Sequence, residues 1–386
     1  MITLASTVES PASPNSVPTV SPPAPLIDLL TGTRSASALA PDEVRDVVQA
    51  SAFHGVDGLI WQQLRDQKTS NAPGLAELGR RARLQSQWEL SHAAAVADLL
   101  NRCADAQIPV LLLKGTALAY SIYAAPSLRS RGDTDLLIAP KDRQRTQVLL
   151  AQVGFKSVGS TSSTDLQAGF ERVDPSGARQ VIDLHWAACN SPLLTGVWSF
   201  EELHTRAQRL PKLSPSALAL SKSDALIHAC LHWAINRHVP YHYGELSRVG
   251  GNRLIWLYDL HLLAQSLDAN DLADLRQQLV AKRIASLCLP ALRAALAHLP
   301  TPALSELVEQ IKPLSRHNWR SWALSGGWLR RSLGELIASP HRARYLRDLL
   351  VADPEALRAR YPNDSRSTPR LQLQRWLDGI RRRSGR

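Results

Sequence analysis

Gly132–Asp133–Thr134–Asp135–Leu136–Leu137–Ile138 sets two carboxylates two residues apart at the head of an apolar run. Side chains at i and i+2 of a strand share a face, so Asp133 and Asp135 are expected to project side by side. Adjacent carboxylates repel unless a cation neutralises them. A hard divalent ion bound by carboxylates and phosphates suits that geometry. Upstream, Ile108 to Leu113 is a continuous apolar run of the kind a buried strand requires. The turn Lys114–Gly115–Thr116 and a short helical stretch from Ala117 to Ala124, ended by Pro126, join the two. A third acid lies in Val181–Ile182–Asp183–Leu184–His185–Trp186, where alternation turns Asp183 away from Ile182 and Leu184.

The turn carries its own chemistry. Where a strand enters a helix, free backbone N–H groups and the helix dipole favour a phosphate. Gly115 lets the backbone approach closely, and the Thr116 hydroxyl can add a hydrogen bond. Lys114 is either a phosphate contact or a solvated side chain. Arg129 and Arg131, just before the acids, either bind a triphosphate or balance the aspartates. His185 shares the face of Asp183 and serves in proton transfer, substrate orientation or a structural hydrogen bond. His228 and His232 have the i,i+4 spacing of zinc ligands, but His-Ala-Cys-Leu-His lacks the HExxH glutamate. A polar seam between helical region and core is the better expectation for them, with His238 and His242 nearby.

Outward from this block the periodicity changes. Residues 1–25 are rich in Pro and Ser without apolar periodicity, as in a disordered leader. Residues 26–106 are helical in pattern; from Ala82 to Cys103, the residues Leu84, Trp88, Leu90, Ala94, Val96, Leu99 and Leu100 form the expected apolar stripe. Pro140 to Val153 predicts a helix closed by Gly154. Phe155–Val158 and Gly169–Val173 are weaker strands and Arg179–Trp186 a stronger one. Beyond Ser216 strand signals fade, and helices are expected over 216–235, 252–267, 271–283, 284–298, 303–312 and 319–337. The expected division is a leader (1–25), an N-terminal helical segment (26–106), a catalytic core (107–215), a helical region (216–340) and a basic C-terminal helix or tail (341–386).

Composition narrows the class. The chain has 386 residues, 44% hydrophobic and 20% charged, enough apolar material for a substantial core. Cys103, Cys189, Cys230 and Cys288 form no CxxC pair, so neither a zinc ribbon nor a disulfide framework is indicated. The first basic residue is Arg34, which leaves the N-terminus without the charged start of an export signal. No apolar run reaches the roughly 18 residues of a membrane span. A cytoplasmic protein without a membrane partner is the expectation. The net charge of +11 is concentrated: from Lys312 to Arg386 there are 17 Lys and Arg against 6 Asp and Glu, and the rest of the chain carries 28 of each. Such a segment either attracts RNA or another acidic partner, or is a solvated arginine-rich face with a frayed tail at Arg381–Arg386.

The glycine turn, the paired acids and the third strand acid together are the parts of a metal-dependent nucleotidyltransferase. The sequence resembles an uncharacterised family, nucleotidyltransferase family 5, within the polymerase-β-like superfamily. The resemblance runs through Gln107–Ile108–Pro109–Val110–Leu111–Leu112–Leu113–Lys114–Gly115–Thr116, then Pro126–Ser127–Leu128–Arg129, Gly132–Asp133–Thr134–Asp135 and Ile182–Asp183–Leu184–His185–Trp186. It continues into Asp224–Ala225–Leu226–Ile227–His228 and Arg253–Leu254–Ile255–Trp256–Leu257–Tyr258–Asp259, and covers about residues 80–300. It implies an α+β fold, a small mixed sheet with flanking helices, between N-terminal helices and a helical C-terminal region. It makes Asp133, Asp135 and Asp183 catalytic residues and ligands of Mg²⁺, with Mn²⁺ as the other candidate ion. It makes Gly115–Thr116 the triphosphate turn; Lys114 and Arg129, from their chemistry and position, join these two as the expected contacts to the NTP, ATP among the candidates. Thr116 stands where the superfamily more often has Ser, which keeps the hydroxyl. The implied reaction moves an NMP from an NTP to a hydroxyl acceptor on a small molecule, RNA or protein. The alternative is a non-catalytic nucleotide- or RNA-binding protein of the same fold.

Overall fold

Residues 21–383 are described by the computed structural model, apart from 70–73, 159–165, 244–245, 250, 326–327, 352–353, 355–356, 359–360 and 362–363. Among the described residues, seven strands form one mixed sheet: β1 (Val110–Leu113), β2 (Thr134–Ile138), β3 (Lys156–Val158), β4 (Gln167–Val173), β5 (Arg179–His185), β6 (Gln208–Arg209) and β7 (Leu218–Ala219). Their order is β3-β4-β5-β2-β1-β7-β6. β1 runs antiparallel to β2 and sets Leu113 opposite Asp135. β5 runs parallel to β2 on its other side and sets Asp183 opposite Asp135. The fold is α+β.

Among the described residues, four α-helices precede the sheet: α1 (Ala24–Thr31), α2 (Pro41–His54), α3 (Asp57–Asp66) and the 30-residue α4 (Ala76–Asp105). α5 (Lys114–Ser121) follows β1 directly, α6 (Arg143–Gln152) lies between β2 and β3, and α7 (Phe200–Thr205) precedes β6. After β7 come α8 (Lys222–Asn236), the hairpin β8 (Pro240–Tyr243) and β9 (Leu246–Val249), and α9 (Leu254–Ser266). Then follow α10 (Ala269–Ala281), α11 (Ala285–His298), α12 (Pro302–Ile311), α13 (Trp319–Ser325), α14 (Trp328–Ala338), α15 (Arg342–Leu350) and α16 (Thr368–Arg383).

Strand alternation sorts the sheet residues into two cores. Val110, Leu112, Leu136, Ile138, Ile182 and Leu184 pack with Leu99 and Leu100 of α4 and Leu149 and Leu150 of α6. Leu111, Leu113 and Leu137 join the larger cluster, which the N-terminal helices share with α8, α9 and α11. The two helical groups are also tied by hydrogen bonds: Arg253 Nε donates to the Phe53 carbonyl at 2.9 Å and Leu254 N donates to His54 Nδ1 at 3.2 Å. Asp135 and Asp183 occupy the face of Leu137, so the alternation that buries the leucines aims the acids at the helical side.

Several expectations change. Strand structure continues past Ser216, in β7 and in the β8–β9 hairpin. The helix expected from 216 starts at Lys222, because Ser221 Oγ accepts from Asp224 N at 3.2 Å and caps it. In α4, Leu84 and Leu90 are 45% and 76% exposed, while Glu89 and His92 are 5% and 1% exposed. The buried stripe of α4 is therefore partly polar: Thr134 and Gln180 of the sheet bond His92, while Tyr120 of α5 and Arg131 of the loop before β2 bond Glu89. Of the expected leader, residues 1–20 lie outside the described residues, and Ala24 and Pro25 already belong to α1. Arg381–Arg383, expected in a frayed tail, end α16; residues 384–386 lie outside the described residues.

Candidate active site

β1 ends at Leu113 and α5 begins at once, so the chain reverses at Lys114 with a φ of +46°. A non-glycine residue in the left-handed region costs roughly 1–3 kcal/mol and persists only where its surroundings hold it. Here they do: Lys114 Nζ lies 2.6 Å from Asp135 Oδ1. Gly115 follows, and a Cβ there would meet Arg131 Cδ at 3.1 Å, so glycine keeps the first turn of α5 close to the loop before β2.

Asp135 is buried and held twice on the same oxygen, since His185 Nε2 also lies 2.8 Å from its Oδ1. Burial and the Lys114 charge depress the His185 pKa, so the neutral ring donates its Nε2–H to Asp135. Asp135 itself stays ionised: burial opposes its charge, but Lys114 and His185 outweigh it and hold its pKa well below the usual carboxylate range. Asp183 is pushed up to about 7 by burial and by the charges of Asp135 and Asp133. Asp133, half-buried beside them, is raised by desolvation and by Asp135.

Three carboxylates thus face one ammonium group. Ligand atoms of Asp135, Asp183 and His185 lie within 4.8 Å of one another. Burial and mutual repulsion push Asp183 and Asp133 up, and the donors of the cluster are mostly carboxylate oxygens. That set fits a hard divalent cation. The acids, Lys114 and Gly115 line a cavity of about 170 Å³, roofed by His228, His232 and Trp256 of the helical region. A second cavity, of about 900 Å³, begins at Leu137, two residues beyond Asp135 on the same strand face. Trp186, Trp198, Phe200 and Tyr345 line it.

Three predicted contacts are placed differently. The Thr116 hydroxyl, 1% exposed, lies 2.6 Å from Thr134 Oγ1 and accepts from Arg131 Nε at 2.9 Å, so it is turned away from the cavity. Arg129 borders the cavity, but its fork is bound to Asp259, Nε to Oδ1 and Nη2 to Oδ2, both at 2.8 Å; Tyr123 Oη donates to the same carboxylate. That buried pair fixes the loop before β2 onto α9. Arg131 is spent on Glu89 Oε1 at 2.6 Å and on the carbonyls of Pro126 and Arg129. His228 donates Nε2–H to the Ala188 carbonyl at 2.7 Å, and the His232 ring meets Trp256 edge-on, which makes them a polar seam rather than a zinc site.

A network missed in the sequence stands behind β2. His92 bonds Thr134 Oγ1 through Nε2 at 2.6 Å and Gln180 through Nδ1. Tyr120 Oη donates to Glu89 at 2.8 Å. Thr134 was readable as the residue facing opposite to the acids, but its partners come from α4 and β5, far off in sequence.

The sequence profile of a family described as an uncharacterised nucleotidyltransferase matches residues 40–300. The match begins nearer the N-terminus than the resemblance drawn from motifs, and takes in α2 and α3. The chain is also similar to an antigenic nucleotidyltransferase-like protein from Paracoccidioides brasiliensis, whose crystal structure is known. The identity is 18%, the TM-score 0.30, and the overlap covers 53% of this chain and 92% of the other. No curated protein matches the chain.

Proposed function

The chain belongs to the uncharacterised nucleotidyltransferase family, and we propose that it moves a nucleoside monophosphate from an NTP to a hydroxyl acceptor. The observation that carries this reading is the register of β2 and β5. It sets Asp135 beside Asp183 on one sheet face, two residues after Asp133, at the floor of a cavity entered by the N-terminus of α5.

Asp133, Asp135 and Asp183 would hold a divalent ion such as Mg²⁺, which when bound neutralises phosphate charge and acidifies the acceptor hydroxyl. The chain's own groups supply the rest. Lys114 and His185 fix the carboxylate of Asp135, leaving its Oδ2 without a protein donor among the described residues. The free N–H groups of the first turn of α5 receive the phosphates, and Gly115 keeps that backbone accessible. The acceptor oxygen attacks the α-phosphorus, the α–β phosphoanhydride bond breaks and pyrophosphate leaves. Asp183, whose half-buried carboxylate faces this cavity and is pushed up to about 7, takes the acceptor's proton. Positioning and charge neutralisation dominate phosphoryl chemistry of this type.

A cavity of about 170 Å³ accommodates phosphates and an ion, since whole small-molecule sites run to roughly 300–1,000 Å³. The nucleoside therefore extends beyond it. The aromatic cavity of about 900 Å³ along the same face has the room for a base or an acceptor. The test is incubation of the full chain with each labelled NTP and a cell lysate, followed by identification of what becomes labelled. Label transfer by the wild type and none by Asp133→Ala with Asp135→Ala is the expected result. Equal labelling by both proteins would end the assignment.

A further inference from the structure

Large hydrophobic side chains left exposed on this protein are not scattered. Sixteen are exposed among the described residues, and ten of these lie from Trp319 onward. They fall at helical spacing. α13 exposes Trp319 and Trp322, and α14 exposes Arg330, Leu333 and Ile337. α15 exposes Leu346, Arg347 and Leu350, and α16 exposes Arg370, Leu373 and Leu377. Except for the adjacent Leu346 and Arg347, each set recurs every three or four residues, so each helix turns an apolar stripe to solvent, joined on α14, α15 and α16 by an exposed arginine.

The stripes meet in pairs. The Arg330 guanidinium lies 5.6 Å above the Trp322 ring and joins those of α13 and α14. Trp376 Nε1 donates to the Leu350 carbonyl at 2.8 Å and joins those of α15 and α16. Contiguous exposed apolar patches of this kind mark interaction surfaces.

We propose that α13–α16 lie on an anionic lipid surface. Charge selects the occupant: the segment from Lys312 carries 17 basic residues against 6 acidic ones, so a second copy of the same face would be repelled. The aliphatic residues decide against nucleic acid, because Leu333, Ile337, Leu346 and Leu373 have no partner on a phosphodiester backbone. An anionic bilayer takes both sets, with arginines among the headgroups and leucines and tryptophans at the acyl boundary. A helix lying in the interface needs no continuous apolar run, so the absence of one from the sequence does not bear on this surface. No helix among the described residues is long and apolar enough to cross a membrane, which agrees with a surface-lying mode.

The test is flotation of the full chain with phosphatidylcholine vesicles, with or without about one-third phosphatidylserine. At least about tenfold more protein is expected on the anionic vesicles, with partial release at about 0.5 M salt. Leu333→Ser, Ile337→Ser and Leu373→Ser together should lower that partition about tenfold at an unchanged melting temperature. If the serine variant unfolds, Arg330→Gln with Arg370→Gln should give a loss at low salt that is smaller at high salt. Equal partition to both vesicles, undiminished binding by a folded serine variant, or preferred retention on a single-stranded RNA oligonucleotide would overturn the proposal. So would a concentration-dependent dimer in sedimentation that the serine variant abolishes.

Discussion

The two faces of β2 differ in how their polar groups are partnered. On one, Asp133, Asp135 and Asp183 crowd around the single ammonium of Lys114 at the floor of a cavity. On the other, Thr134, Thr116, His92, Gln180, Arg131 and Glu89 are buried, and each has at least one hydrogen-bond partner. One residue of strand separates an unbalanced charge cluster from a closed network. The unbalanced face is ready for a cation and an anionic substrate at the expense of like-charge repulsion. The closed face holds the strand in register while that repulsion acts on it. Function and stability are thus divided between alternate residues of one strand, and substitutions on the two faces should fail differently.

The largest effect belongs to the cavity face. Asp133→Ala should reduce NMP transfer by at least about a thousandfold, while the melting temperature holds or rises because its repulsion with Asp135 is relieved and the Lys114–Asp135 pair is kept. A variant that unfolds would show that the acid is structural and erase the distinction. On the closed face, Glu89→Ala strands the Arg131 guanidinium, whose side chain is 2% exposed. Urea denaturation should show a loss of about 3–5 kcal/mol; a loss of only the about 0–1 kcal/mol of a surface pair would break the comparison.

Acid probes the same face. His92 is pushed down to about 4 by burial, against 6.5 when unfolded. Between those values the unfolded chain binds the proton and the folded one does not. Stability from the neutral ring is therefore complete above about pH 6.5 and lost as the pH falls toward about 4. The loss is on the order of 3 kcal/mol. Denaturation across that range should show a flatter pH dependence in His92→Gln than in the wild type; identical slopes would place the titrating group elsewhere. The smallest effect is that of Thr116→Val, which removes one buried hydroxyl from the network. It should cost about 1 kcal/mol of stability and leave kcat/KM within about twofold. A hundredfold loss of transfer at unchanged stability would move that hydroxyl to the cavity side.

The cavity face was legible in the sequence because its signals are local. Two acids at i and i+2 share a face in any strand, and a glycine after an apolar run marks the entry to a helix whatever surrounds it. The closed face depends on pairings across long separations, such as His92 with Gln180 and Glu89 with Arg131. In periodicity alone, Glu89 and His92 read as solvent-facing and Leu84 and Leu90 as core, and the structure reverses both. Arg129 had a plausible phosphate role from its position before the acids, and only the return of α9 with Asp259 shows where its fork goes. β7 escaped notice because two residues, Leu218–Ala219, carry no period. The basic C-terminal segment was visible as charge, but its exposed apolar stripes appear only once the helices are packed.

Titration calorimetry of NTP into the full chain, with and without Mg²⁺, tests the central claim most directly. Binding by the wild type only when Mg²⁺ is present, and none by Asp133→Ala with Asp135→Ala under either condition, is the predicted result. NTP binding of equal strength in a chelator, or retained by the folded double variant, would contradict the assignment of the acid cluster.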